Sequence, residues 1–274
     1  MRIVRFSPPP STAPNAQDPR EPVFAILDDA RPAGEGRAPR AGSLRVLSRA
    51  PWLGGSPTGE VVPYDDRVAL LAPVAPSKIL CVGRNYAAHA KELGNEVPKE
   101  PLLFLKPPSA LIGHEGTIVL PPESTRVEHE AELGVVIGKR CRAIAPEQAR
   151  AHIFGLTCTG DITARDLQRS DGQWARAKGF DTFCPVGPWI ETDLDPRDVR
   201  IACTVNGATK QDGRTAQMIF PVDVLLAYAS RMMTLEPGDL VLTGTPEGVG
   251  PLVHGDRIEI TVEGIGTLGC AVRK

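Results

Sequence analysis

Residues 127–139, reading VEHEAELGVVIGK, constrain this chain more than any other stretch. Glu128, Glu130 and Glu132 are spaced two apart, and the apolar run of Leu133, Val135, Val136 and Ile137 follows. In a β-strand alternate side chains share a face, about 7 Å apart. One continuous strand is therefore predicted, with three carboxylates crowded at its mouth. Like charges this close raise one another's energy unless a cation neutralises them. An all-oxygen donor set suits Mg²⁺, Mn²⁺ or Ca²⁺. The spacing alone fits a cation site and a solvated edge strand equally well.

With 274 residues, the chain can form one large domain, or a small one and a larger one, with an ample core. Lys and Arg number 31 against 33 Asp and Glu, a net charge of −2. No basic block or acidic tail occurs, so no nucleic-acid partner is expected. No run of about 18 apolar residues is present to span a membrane. The start, MRIVRFSPPPS, lacks the apolar segment of a secretory signal. The six cysteines are dispersed and form no C-x-x-C pair, so they read as small buried hydrophobes. A reducing cytoplasm is the expected compartment.

Residues 1–72 read as a small β-rich N-terminal domain. Strands are predicted at 1–6, 23–27, 60–62 and 67–71. The stretches 7–22 and 28–43 are rich in Pro, Gly and Ala, which interrupt helices and central strands. No reactive groups cluster in this part. Residues 72–78, APVAPSK, read as a linker, which leaves 73–274 as the larger domain.

Residues 79–83 (ILCVG) and 101–106 (PLLFLK) are predicted to be buried strands. Between them RNYAAHAKELG is predicted to form a helix closed by Gly94. His89 and Glu92, three apart, share its face. A carboxylate beside a histidine orients the ring and raises its basicity, as a general base requires. A solvated surface pair has the same spacing. GLTCTG at 155–160 is predicted to be a strand that ends on Asp161, placing a carboxylate at the mouth of a cleft. The polar stretch 162–180, with Arg165 and Lys178, is predicted to be a partly ordered loop.

Asn206-Gly207 favours a type I′ hairpin turn. Residues 221–233 carry an amphipathic helical pattern, and 257–272 read as a closing hairpin. The GTPEGVG loop at 244–250 lacks the lysine and spacing of a phosphate-binding loop. Its glycines would let the backbone approach a small ligand closely.

The order of these features, and the words VGRNYAAHAKE, FLKPPSALIG, HEAELGVVIGK, GDITARDLQ, WARAKGFDTFCPVGPW, VNGATKQDG, MIFPVDVLLAY and LEPGDLVLTGTPEGVG, resemble the fumarylacetoacetate hydrolase family. The nearest branch holds acylpyruvases and 2-hydroxyhepta-2,4-diene-1,7-dioate isomerases. The likeness covers residues 78–274, and the N-terminal part resembles the small domain that precedes it in many bacterial members. The resemblance implies a mixed α/β, β-rich fold, a β-sandwich or roll with short flanking helices. It implies Mg²⁺ or Mn²⁺, with Ca²⁺ also compatible, held by Glu130, Glu132 and Asp161. Glu128 stands where members differ and is not counted as a ligand. His89 and Glu92 match the pair that activates water. Lys178 matches the lysine that steadies negative charge on the substrate oxygen. Arg84, Gln168 and Thr245 match positions lining the substrate pocket, and Arg165 a recurrent arginine beside it. Family habit implies a homodimer.

The implied activity is hydrolysis of a C–C bond in an acylpyruvate-like or fumarylacetoacetate-like diketo acid. Water deprotonated by His89 would attack the distal carbonyl, and the cation would hold the departing carbanion as an enolate. The same site could isomerise or decarboxylate a 2-oxo diacid in aromatic catabolism. A metabolite-binding protein without turnover is the remaining alternative, disfavoured by the intact acidic set, the His89–Glu92 pair and Lys178.

Overall fold

The computed structural model describes residues 1–7, 21–28, 42–65 and 67–274, so the predicted loops at 7–22 and 28–43 lie almost wholly outside the described residues. A twelve-stranded sheet runs through the molecule. Its path passes from Pro57–Tyr64 through Gly42–Leu47, Val23–Asp28 and Arg2–Phe6 to Cys184–Glu191. It continues through Ile153–Gly160, Ala131–Ile137, Leu240–Leu242 and Ile79–Gly83, and ends at Leu102–Lys106. The N-terminal strand joins the rest by antiparallel pairing of Arg2 with Glu191 and Ile3 with Ile190.

Ala131–Ile137 is buried along its whole length, as its unbroken apolar run requires of a central strand. Packing is close enough that a Cβ on Gly134 would lie 2.4 Å from Thr159 Cγ2. A five-stranded sheet packs across this strand and Ile153–Gly160. In Arg257–Val262 every second residue is buried, so Ile258, Ile260 and Val262 face the shared core while their neighbours face outward. The result is a β-rich sandwich flanked by short helices, at Ala87–Glu92, Arg165–Asp171, Ala175–Gly179 and Val222–Met232.

Four local expectations need correction. The glutamate stretch is not one strand. Val127–His129 pairs with Thr163–Ala164 and Gly250–Pro251 in a separate three-stranded sheet. Glu130 lies in the break, and the chain enters the long sheet only at Ala131. The crossing is held from outside the ladder, since Asp161 N–H donates to the Glu130 carbonyl (2.9 Å) and Ala131 N–H to Gln211 Oε1 (3.0 Å). The stretch 162–180 is two short helices rather than a loop. Leu102–Lys106 is a half-buried edge strand, in which Lys106 alone is fully buried. Gly42–Leu47, expected as loop at its start, is a strand.

Other expectations hold. Gly94 closes the helix Ala87–Glu92 with φ +70°, and Asn206 and Gly207 both have positive φ in the hairpin Arg200–Val205/Ala208–Arg214. All six cysteines are free and buried. Among the described residues no helix is long and apolar enough to cross a membrane.

Candidate active site

Strand register assembles the acidic cluster. Glu132 lies opposite Thr159, and Ala131 opposite Gly160. Asp161 therefore emerges from its strand end directly beside Glu130 and Glu132. One oxygen from each of Glu130, Glu132 and Asp161 lies within 4.8 Å of the other two, and all three residues are buried. Glu128 is directed elsewhere. Its carboxylate accepts from Arg126 Nε (2.5 Å) and Arg165 Nε (2.7 Å).

Buried cations bracket the cluster. Lys178, from the short helix Ala175–Gly179, donates to Glu130 Oε2 (2.9 Å) and Asp161 Oδ2 (2.5 Å). Arg165 pairs with Glu130 as well as Glu128. Its Nη1 also donates to Gln168 Oε1 (2.5 Å). Lys106, which the sequence reading passed over, donates to Asp161 Oδ1 (2.7 Å) and the Ile162 carbonyl (3.1 Å). Its signal was a lysine closing an apolar strand before two prolines, a charge that burial demands be paired.

The three carboxyls do not share these cations equally. Burial alone would raise the Glu130 carboxyl, but Lys178 and Arg165 outweigh it and hold it below the usual carboxylate range. Glu132 forms no ion pair among the described residues, and the charge of Lys178 does not offset its burial and its acidic neighbours. Burial, then the charges of Asp161 and Glu130, push it well above that range. Its Oε2 accepts from Gly244 N–H (2.7 Å). Oxygen donors alone, with one carboxylate that forms no ion pair among the described residues, fit a hard divalent cation.

On the other wall, His89 is 3% exposed and its Nδ1 lies 3.3 Å from Glu92 Oε2, leaving Nε2 for a ligand. Gly248 N–H donates to both Glu92 oxygens (3.1 and 3.2 Å). The GTPEGVG glycines thus meet carboxylates of the protein itself, Gly244 at Glu132 and Gly248 at Glu92. Both have positive φ, and a Cβ on Gly248 would lie 2.0 Å from the Lys210 carbonyl.

A cavity of about 40 Å³ lies between these walls. It is lined by His89, Glu130, Arg165, Gln168 and Lys178, together with Gly83, Arg84, Leu93, Asn95 and Trp174. Arg84 holds a left-handed backbone at φ +56°. Thr245 does not line the cavity. Its hydroxyl donates to the Ala131 carbonyl (2.8 Å) and accepts from Gln211 Nε2 (2.7 Å), tying the glycine loop to the strand. A far larger cleft, about 900 Å³, lies between the N-terminal strands and residues 108–116. Among the described residues its lining brings no acidic cluster to a buried histidine, so chemistry rather than size places the candidate site.

Residues 78–273 match the family described as Fumarylacetoacetate (FAA) hydrolase C-terminal. The chain belongs to the fumarylacetoacetate hydrolase family. Residues 1–73 match a second description, Rv2993c-like, N-terminal. Among solved structures, the 2-hydroxyhepta-2,4-diene-1,7-dioate isomerase from Mycobacterium marinum is 44% identical, covering 100% of this chain and 98% of its own, with a TM-score of 0.85. The fumarylpyruvate hydrolase from Pseudomonas aeruginosa, solved with Mn²⁺ and pyruvate, is 36% identical over 75% of this chain and 91% of its own, with a TM-score of 0.69. The mitochondrial oxaloacetate tautomerase FAHD2A of Bos taurus is 45% identical over 73% of this chain and 68% of its own. These family members are enzymes acting on small organic acids, by more than one reaction.

Proposed function

We propose that the protein is a Mg²⁺- or Mn²⁺-dependent hydrolase that cleaves a C–C bond in an acylpyruvate-like or fumarylacetoacetate-like diketo acid. The observation that carries this reading is that His89, backed by Glu92, walls the same cavity as Glu130 and Lys178. A base for water and positive charge for an oxyanion then face one bound molecule. Glu130, Glu132 and Asp161 would hold the cation, which supplies Lewis-acid polarisation of the 2-oxo acid's oxygens. The neighbour solved with Mn²⁺ and pyruvate supports this choice of ion and ligand head.

The chain's residues divide the remaining work. Glu92, held by Gly248 N–H, accepts a hydrogen bond from His89 Nδ1–H and orients the ring, so that the free Nε2 takes a proton from water. Arg84, Gln168 and Arg165 offer donors to the substrate's carboxylate, and Thr245 keeps the glycine loop in register. Lys178 presents a fixed positive charge to the oxygen on which negative charge develops, worth roughly 3 kcal/mol or more in a dry site. His89 then returns the proton to the departing carbon.

Isomerisation or tautomerisation of a 2-oxo diacid is the second reading. It is favoured by the isomerase structure that spans the whole chain and by the oxaloacetate tautomerase. Such reactions need positive charge to stabilise the enolate but no attacking water. The two readings separate in a panel of acylpyruvates and oxaloacetate. His89→Ala is expected to lose roughly 10²–10⁴-fold in C–C hydrolysis while keeping more of the enolisation of oxaloacetate. Lys178→Met is expected to weaken both. Parallel losses in both variants for every substrate would overturn hydrolysis in favour of isomerisation.

We further propose a homodimer working in the cytoplasm. Two-fold dimers are the commonest assembly, and six free buried thiols suit a reducing compartment. Light scattering at micromolar concentration should give twice the chain mass, and a monomer mass would refute the dimer.

A further inference from the structure

Trp174 is half-buried in the lining of the candidate cavity, and three neighbours fix its ring. The ring lies edge-on to Phe104, with centroids 5.2 Å apart. The Arg84 guanidinium sits 5.9 Å from the Trp174 ring centre. Gly83 completes the seat, since a Cβ there would come within 3.0 Å of Trp174 Cζ3. The ring therefore rests on the end of strand Ile79–Gly83, where any side chain would push it away.

Trp174 is also coupled to the chemistry. Its carbonyl accepts from Lys178 N–H (3.0 Å), which opens the helix that carries Lys178. Phe104, against which the indole packs, lies 4.9 Å beneath the Lys178 ammonium. Gly172, two residues before Trp174, has φ +68° and nothing near its Cβ position, so the chain can bend there.

Size makes this position decisive. The cavity of about 40 Å³ has room for a few water molecules, whereas ligand pockets commonly measure roughly 300–1,000 Å³. Of the residues lining this small cavity, Trp174 carries the bulkiest side chain, so a large group attached beyond the 2-oxo acid head would compete with its ring for space. We infer that Trp174 is the specificity-determining residue of this site, favouring a slim distal group and rejecting an aryl group. The inference rests on the proposed 2-oxo acid reading and deepens it.

The test is binding to Mn²⁺-loaded full-length protein, so it does not depend on which reaction follows. Calorimetry measures dissociation constants for acetylpyruvate, benzoylpyruvate and oxalate with wild type, Trp174→Ala and Trp174→Phe. Wild type should bind acetylpyruvate at least tenfold more tightly than benzoylpyruvate. Trp174→Ala should narrow that ratio at least tenfold, with Trp174→Phe between, while oxalate affinity stays within about threefold in all three proteins. An unchanged ratio with oxalate binding intact overturns the inference and leaves the functional reading standing. Oxalate binding lost in both variants also overturns it, because Trp174 would then only support the fold. Wild-type protein that binds no oxalate overturns the functional reading itself.

Discussion

At the scale of single residues, Glu132 is the group whose state depends most on a cation. Its carboxyl, pushed up first by burial and then by Asp161 and Glu130, keeps its proton at pH values where an unfolded-chain glutamate, near 4.3, has lost it. The folded state then binds more protons than the unfolded one, so without a cation Glu132 lowers stability as pH rises above that value. Glu130 works in the opposite sense below it, because its depressed carboxyl adds stability that is lost as pH falls. A cation must displace the Glu132 proton. Mn²⁺ titrations in buffers of different ionisation enthalpy should therefore show proton release and tighter binding at higher pH, and Glu132→Gln should abolish the release. Equal proton release in Glu132→Gln would place the titrating group elsewhere. The two-residue spacing of Glu130 and Glu132 was legible in the sequence. The departure of Glu128 toward Arg165 was not, because the break at Glu130 depends on Asp161 and Gln211, distant in the chain.

Among elements, the glycine loop shows how a local pattern acquires meaning from its surroundings. Read alone, GTPEGVG promises a close backbone approach and does not say to what. In the fold, Gly248 N–H reaches Glu92, which in turn holds His89. Gly248→Ala would set a Cβ against the Lys210 carbonyl at φ +96°. It should cost about 1–3 kcal/mol of stability, as strain at such positions does, and lower kcat for C–C hydrolysis while Mn²⁺ affinity holds. Unchanged kcat in a correctly folded Gly248→Ala would separate Glu92 anchoring from catalysis. The helices Arg165–Asp171 and Ala175–Gly179 escaped the sequence reading for a related reason. Elements of seven and five residues are too short to show a period and gain little from intrinsic propensity. What holds them is tertiary: Arg165 to Glu128 and Glu130, and Lys178 to Glu130 and Asp161. The hairpin at Asn206-Gly207 needed no such help, and its turn was readable from two residues.

For the molecule as a whole, the question is whether residues 1–72 and 73–274 behave as separate units. Every candidate site residue, from Arg84 to Thr245, lies in the second stretch. Yet Ile3 is fully buried in one cluster with Leu47, Val74, Ile79, Val186 and Ile190, drawn from both sides of that boundary. Its strand pairs with Cys184–Glu191, two strands from Ala131–Ile137 along the sheet path. Such a shared core should melt as one cooperative unit. Ile3→Ala removes three carbons from a closed site and should cost about 2–5 kcal/mol. If unfolding is cooperative, this loss should lower the midpoint of a single transition. Mn²⁺ with oxalate, bound at the far strands, should raise that same midpoint by mass action. Differential scanning calorimetry decides the matter. Two transitions, one moved only by Ile3→Ala and the other only by the ligands, would mean that the pairing at Ile3 joins two independently folding parts. One transition moved by both would make the N-terminal strands part of the scaffold that holds the acidic cluster in register.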